Sequence, residues 1–343
     1  MPPANITKRA TIEDVAAAAG VSVATVSRAL RGLPNVAIHT RERIEQIAGR
    51  LHYQADPAAS RLAAGRSRAI AVAVPMLDVW YHSHVVAGVE AVCAEAGYDT
   101  VVVGIGAPQE GRRVLDVAGP IYRRVDALIC VDVRLTDDEL GRLQNERMAI
   151  VYIGPDGGPG IPSLGIDDVE VGKLATRHLI ELGHRRIGLI HGQPDDPYSF
   201  TVPHRRQQGY EAALREVGIE PDPELVAPGY FAIEGGYDAL NMLLDLPRPP
   251  TAVFAISDET AFGAMWAARE RGVAVPHELS IIGVDDHDNA PVVGLTTVHQ
   301  DVPEHGAHAA RMVFDMLTGA DPPAWRQNAP IRLIERTTTA PPS

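Results

Sequence analysis

The stretch TIEDVAAAAGVSVATVSRALRG, residues 11–32, decides how the first part of the chain folds. Thr11 three places ahead of Asp14 is a capping-box start, with Thr11 set to accept from the freed amides and Asp14 well placed in the first turn. The helix runs to about Ala19, where Gly20 takes the left-handed conformation that ends it. Ser22 then caps a second helix over VATVSRALRG, which stops at Gly32. Two short helices joined through a glycine outline a helix-turn-helix. Helical spacing turns Ile12, Val15, Ala16 and Ala19 inward on the first, and Val26, Ala29 and Leu30 on the second. A third helix, Thr40 to about Leu51, adds Ile44, Ile47, Ala48 and Leu51, so that three helices close one small core.

The second helix leaves Val23, Ala24, Ser27, Arg28 and Arg31 outside, short side chains beside two long cations. A DNA major groove admits a helix whose leading face is slim, and an arginine fork reads guanine with two hydrogen bonds. Arg28 on a small-residue surface meets both conditions, with Val23 and Ala24 facing thymine methyls and Ser22, Thr25 and Ser27 donating to phosphate. A three-helix protein-interaction module with a solvated arginine is the competing reading. Charge adds to the first reading, although clustering at a terminus can also arise by chance. The chain carries −13 overall, yet residues 1–66 hold nine basic against five acidic side chains, a net of +4, which leaves −17 on the remainder. A basic head on an acidic body points to one part that touches nucleic acid and another that nucleic acid repels.

The rest of the 343 residues is long enough for further units, and a 45% hydrophobic content suits a packed protein. No run of 18 apolar residues and no signal-like N-terminus occurs, so a cytoplasmic protein without membrane association is expected. Cys93 and Cys130 each lie in an apolar stretch and read as buried thiols. From residue 69 onward β-branched runs (AIAVAV, TVVVG, ALICV, AIVYI, RIGLIH, AVFAIS, SIIGV) alternate with helical patterns, which predicts parallel sheets in two similar α/β lobes.

The head stretch closely resembles the helix-turn-helix of the lactose repressor/galactose repressor family, in which VSVATVSR is among the most specific strings. The resemblance continues through TRERIEQIAGRLHYQADPAASRLAAGRSRAIAVAVP and, more loosely, to LIERTT near the end. It implies a homodimeric transcription regulator, read as a repressor, on a pseudo-palindromic double-stranded operator, with a small-molecule effector held between two lobes like those of periplasmic binding proteins. The implied divisions are a head at 1–56, a hinge helix and linker at 57–68, and an effector and dimerisation domain at 69–343. Its lobes would span about 69–166 with 298–327, and 167–297 with 328–343. The family's base-reading positions are Val23, Ala24 and Arg28 here. Several relatives carry tyrosine–glutamine at the first two, so this chain is expected to read a different operator. Thr11, Arg31, Tyr53, Ala59 and Leu62 complete the expected DNA-contacting set. Leu62 holds the family's wedge position in the minor groove, and an exposed leucine between Arg61 and Arg66 suits a wedge better than a free linker. Small Ala59 and Ala63 allow two hinge helices to approach, and Asp56, where asparagine is frequent, weakens phosphate contacts.

Ligands of open α/β sheets sit beyond the carboxyl ends of the strands. The first strand ends near Pro75 and leads to Trp80, Tyr81 and His82; Arg206, Phe231 and Asp258 follow corresponding points in the other lobe. By resemblance, Tyr81, His82, Arg206, Phe231 and Asp258 align with effector contacts. A charged pair and a flat aromatic suit a sugar, glycoside or nucleoside-like ligand. Arg206 and Asp258 as a structural ion pair, Phe231 as core and His82 as a surface residue are the plainer readings. Val131 and Ile153 stand where many sugar sensors place asparagine or aspartate, which predicts a less polar pocket. VVVGIGAPQEG lacks the third glycine of a dinucleotide loop, His299, His305 and His308 lack a completing metal-ligand set, and Ser199 lacks a nucleophile elbow. No cofactor, no metal and no enzymatic activity are therefore expected. TTTAPPS carries no leucine heptad for a tetramerising helix. A solute-binding protein would need an export signal and has no use for residues 10–66. An activator on the same scaffold remains the alternative to a repressor.

Overall fold

The structure is a computed structural model that describes residues 10–53, 67–106, 113–154, 160–192, 201–320 and 326–343. The chain separates into two units, residues 1–67 and 68–343. In the head, α1 (Ile12–Ala19) starts on the capping box: the Asp14 amide donates to Thr11 Oγ1 at 3.3 Å and the Thr11 amide to Asp14 Oδ2 at 2.9 Å. Gly20, at φ +62°, closes it. α2 (Val23–Leu30) is capped by Ser22 Oγ, which accepts from the Thr25 amide at 3.2 Å. Val15, Ala16, Ala19, Val26, Ala29, Ile44, Ile47 and Ala48 form the core, and Ile12 and Leu30 pack on it half-buried. α3 (Ile38–Arg50) begins two residues ahead of Thr40, because the carbonyl of Ala37 already accepts the amides of Thr40 and Arg41. Leu51 is exposed rather than inward. It caps the helix C-terminus and so leaves the helical phase, and Val36 and Tyr53 cover that side of the core. Arg43 donates to the Ala19 carbonyl at 3.0 Å and Arg41 to that of Leu33 at 2.7 Å, so these two cations brace the head.

The second unit holds two six-stranded sheets. The first is ordered β11-β5-β4-β3-β1-β2, from β1 (Ala69–Val74), β2 (Asp99–Gly104), β3 (Ala127–Val131), β4 (Ala149–Ile153), β5 (Ser163–Gly165) and β11 (Arg326–Asn328), all parallel. The second is ordered β12-β10-β9-β8-β6-β7, from β6 (Ile187–His191), β7 (Val226–Pro228), β8 (Ala252–Ala255), β9 (Ser280–Asp285), β10 (Thr296–His299) and β12 (Arg332–Ile334); here β12 alone runs antiparallel, against β10. Every residue of β1 is buried, and its alternate side chains enter different cores: Ala69, Ala71 and Ala73 on one face, Ile70, Val72 and Val74 on the other. Both faces are thus covered, the condition under which all-parallel strands become continuous apolar runs. The seven runs read from the sequence are strands; β5, β7, β10, β11 and β12, at three or four residues each, are too short to stand out by pattern. Cys93 and Cys130 are buried free thiols. Among the described residues no helix is long and apolar enough to cross a membrane.

Helices pack in pairs through glycine. α4 (Trp80–Glu95) meets α12 (Val302–Thr318) at Gly88 and Gly306, and α7 (Asp168–Glu181) meets α8 (Val202–Glu216) at Gly172 and Gly209. A Cβ on Gly172 would lie 2.0 Å from the carbonyl oxygen of Arg206, and one on Gly209 2.1 Å from that of Val169. The Gly172→Ala variant must therefore push α8 off α7. We expect a loss of about 1–3 kcal/mol, the usual size of an overpacking penalty, measured by denaturant unfolding. Gly141→Ala, in α6 (Asp137–Asn145) with nothing within 4 Å of the new methyl, is the control and should gain about 0.5–1 kcal/mol from helix propensity.

Candidate functional site

On the head, Val23, Ala24, Arg28 and Arg31 are exposed and Ser27 is half-buried, so α2 presents the slim face with two free-reaching cations. Neither arginine side chain has a hydrogen bond or ion pair among the described residues. Ser22 and Thr25 share a hydroxyl–hydroxyl bond of 2.9 Å, and Thr11 Oγ1 donates to Asp14 at 3.0 Å. One hydroxyl proton of the Ser22–Thr25 pair is thus used internally, and Thr11 serves first as a cap. Tyr53 packs half-buried against the head core. The hinge residues Ala59 and Leu62 lie outside the described residues.

In the second unit, the carboxyl ends of both sheets converge on one group of polar side chains. Arg206, 4% exposed on α8, donates from Nε to Asp168 Oδ1 at 3.0 Å and from Nη1 to the Ile256 carbonyl. Asp168 opens α7, so the Gly172–Gly209 approach sets this pair in register. Asp285 ends β9 at φ +116° and accepts from Gln300 Nε2 at 2.6 Å. Burial pushes its pKa up to about 7, with Arg206 acting against the shift. Asp132 follows β3 at φ +53° and lies 3.4 Å from His82 Nε2. His82 is buried, and its Nδ1 must carry the proton to donate to the Met76 carbonyl at 2.9 Å. The Tyr81 phenol is pushed well up by burial first, then by Asp132, Asp285 and Asp168, while Arg206 opposes them. Trp80, next to Tyr81, bonds to Asp288 Oδ2 at 3.2 Å, so the start of α4 meets the loop after β9 of the other lobe.

The residues singled out in the sequence divide here. Tyr81, His82 and Arg206 belong to this group. Phe231, half-buried, adjoins it from the second lobe: it follows Tyr230, and both are left-handed at φ +55° and +54°, a strained pair of the kind stored at functional sites. Its ring fills the space where a Cβ on Gly192 would lie 2.6 Å from Cε2. Asp258 is different. It is fully buried, Oδ1 accepts from Thr297 Oγ1 at 2.7 Å and Oδ2 from the His287 amide at 2.8 Å, and Gly283 leaves room for it. Its carboxyl is pushed well above the ordinary range by burial and then by Asp285. Arg206 pairs with Asp168 and not with Asp258, so a structural bridge between Arg206 and Asp258 is absent. Trp80 does not simply line a wall either. Its Nε1 donates to Asp288 Oδ2 at 3.2 Å, its ring stacks on His84 at 4.3 Å and on His287 at 4.8 Å, and His84 Nε2 reaches the same carboxylate at 3.1 Å. It joins the first lobe to the loop after β9.

The sequence reading missed Asp132, Asp168, Asp285 and Gln300. It read Val131 and Ile153 as signs of a less polar pocket, yet both are fully buried and the polar group sits one residue on, at Asp132. The available signal was position: Asp132 and Asp285 stand at the carboxyl ends of strands, where open α/β sheets bind ligands. Among the described residues no three His, Cys, Asp or Glu side chains are grouped so as to hold a metal ion.

Comparison with known proteins places this geometry. The model for bacterial regulatory proteins of the lacI family matches residues 11–56, and that for a periplasmic binding protein-like domain matches residues 176–339. The HTH-type transcriptional repressor CytR of Escherichia coli (strain K12) is 36% identical over 315 residues, 90% of each chain. A transcriptional regulator CelR–cellobiose complex is similar at a TM-score of 0.69 and 30% identity, over 96% of this chain and 100% of that one. The lac repressor dimer bound to operator and the anti-inducer ONPF is similar at a TM-score of 0.82 and 26% identity, over 97% and 100%. All three relatives are named as transcriptional regulators or repressors. With a capped helix-turn-helix, two largely parallel sheets whose strand ends carry a polar group and this likeness over nearly the whole length, the chain belongs to the LacI family and is a sequence-specific, DNA-binding transcriptional regulator.

Proposed function

We infer that the chain is a homodimeric repressor of a pseudo-palindromic operator, released or fixed by an uncharged, polyhydroxylated effector (a sugar, glycoside or nucleoside) bound between its lobes. The observation that carries this is the buried polar group at the strand ends, with His82 and Asp132 paired in one lobe, Arg206 and Asp168 paired in the other, and Trp80 joining the two through Asp288. A guanidinium beside carboxylates grips vicinal hydroxyls, which both donate and accept, and Phe231 offers a flat apolar face to a sugar ring or base. Arg206 is already ion-paired with Asp168 and bonded to the Ile256 carbonyl, so it offers no unpaired cation to an anion, and a phosphorylated ligand is the wrong partner. A ligand that touches both walls binds one lobe arrangement better than another and shifts the population accordingly. The cellobiose named with one structural relative belongs to the same chemical class.

Within this reading Tyr81, His82, Arg206 and Phe231 contact effector, Asp285 joins them, and Asp258 acts from beneath by holding the 287–297 segment that follows Asp285. On the head, Val23, Ala24 and Arg28 read bases; Ser22, Thr25, Ser27, Arg31, Thr11 and Tyr53 position the helix on phosphate; Ala59 and Leu62 act in the minor groove. The two heads suit two half-sites because operator symmetry mirrors protein symmetry.

Three outcomes test these assignments. Arg28→Ala should lose specific operator binding, about 1–3 kcal/mol per half-site, while keeping weak, salt-sensitive binding to scrambled duplex. Equal losses on both duplexes in gel shifts would make Arg28 a phosphate contact.

Arg206→Ala should remain DNA-competent yet bind ribose, cellobiose or a nucleoside more weakly than wild type, by about 1.5–3 kcal/mol for a bond to a charged group. Ribose 5-phosphate should bind neither protein. Calorimetry reads both; unchanged affinity in the variant would remove Arg206 from the contact set.

The third outcome is pH-dependent. Asp285 keeps its proton to about pH 7 when folded, whereas in the unfolded chain a carboxyl ionises near 4. Between those values the folded state binds more protons, so stability falls as pH rises from about 4 through about 7 and then levels. Asp168 and Asp258, also raised chiefly by burial, add to the same slope. Asp285→Asn should flatten the fall in Tm between pH 5 and pH 8; an identical slope would contradict the buried, near-neutral state.

A further inference from the structure

We propose that His305 is a specificity-determining residue of the cleft, an imidazole whose ring nitrogen is completed by a donor or acceptor atom of the bound effector. The inference rests on the cleft reading above and adds a group that the effector must present.

His305 stands in the first turn of α12 and is 2% exposed, yet neither Nδ1 nor Nε2 has a hydrogen-bond partner among the described residues. Burying an imidazole this way forfeits both of its bonds to water, and a group so left in a native fold calls for an explanation. A leucine would fill a similar space without that penalty. The helix cannot ease away, because a Cβ on the adjacent Gly306 would lie 2.0 Å from the Val85 carbonyl oxygen, so α12 is pressed onto α4. The first turn of α4 carries Tyr81 and His82. Burial lowers the His305 pKa to about 4, against the pull of Asp301 and Asp132, so at neutral pH the ring is uncharged and offers one N–H and one lone pair. Val302, in the same first turn of α12, lies in the core cluster against which Trp80 and Tyr81 pack, so His305 stands beside the wall that carries Tyr81 and His82. Five residues before it, Gln300 holds Asp285 on the opposite wall. His305 therefore lies where a ligand gripped by Arg206 and Asp285 would extend toward the first lobe. A site that hydrogen-bonds one ligand atom discriminates far more strongly against its absence than an apolar wall does.

The test uses the full chain. Calorimetry against adenosine, cytidine, uridine, D-ribose and cellobiose selects the tightest binder as probe; wild type, His305→Leu and His305→Gln are then compared for probe binding, Tm without ligand and operator binding without ligand. The expected result is a His305→Leu protein with equal or higher Tm, unchanged operator affinity and probe affinity reduced about tenfold or more, with part of the affinity restored by glutamine, which supplies both a donor and an acceptor. Its ranking of the five compounds should also flatten. Wild-type probe affinity in both variants, or a Leu variant that loses Tm while keeping its ligand ranking, would make His305 a core residue and overturn the proposal. If wild type binds none of the five, the cleft reading itself fails, and that result is visible before any variant is made.

Discussion

A guanidinium buried to 4% exposure, held by Asp168 and the Ile256 carbonyl, is the constraint around which the second unit is arranged. A buried cation stripped of water is tolerable only beside a compensating charge and satisfied donors. Arg206 supplies its own compensation from the neighbouring helix, and that requires α7 and α8 to touch backbone to backbone at Gly172 and Gly209. The same charge is what keeps Asp285 from rising further than about 7 in a site where burial alone would protonate it. The result is a carboxylate poised between two states beside a fixed cation, facing a phenol from the other lobe.

Around that centre, backbone positions do as much as side chains. Asp132 and Asp285 adopt left-handed φ values at strand ends, and Tyr230 and Phe231 do so consecutively. Non-glycine residues hold such conformations only where their surroundings over-determine them. Each turn aims a side chain that would otherwise follow the strand or helix away from the cleft. Trp80, spanning from α4 to Asp288 and His287, ties the first lobe to the loop that follows Asp285, so movement between the lobes must rearrange the surroundings of that carboxyl.

The head was almost wholly legible in the sequence, because its determinants are local. Thr11 and Asp14, Gly20 and Ser22 act within four residues of where they stand, and the inward face of α1 and α2 follows from helical spacing. Leu51 and the start of α3 were misread since a terminal residue leaves the helical phase and a backbone carbonyl, not Thr40, begins the helix. In the body the long buried strands were equally plain. The cleft was only partly so. Nothing in VDDHD distinguishes Asp285, which faces Arg206, from Asp286, which pairs with Arg336 and His299, or from Asp288, which holds Trp80. That distinction depends on φ at one residue and on partners tens of residues away. Asp258 shows the converse: a conspicuous carboxylate in SDETAFG whose oxygens are taken by Thr297 and His287.

If a ligand between the lobes and an operator under the heads act on one equilibrium, their affinities are reciprocally linked. The most direct test measures effector affinity by calorimetry with and without saturating operator duplex, and operator affinity with and without saturating effector. The account predicts that both ratios differ from one and agree with each other. Effector binding that is indifferent to operator, with operator affinity indifferent to effector, would contradict it.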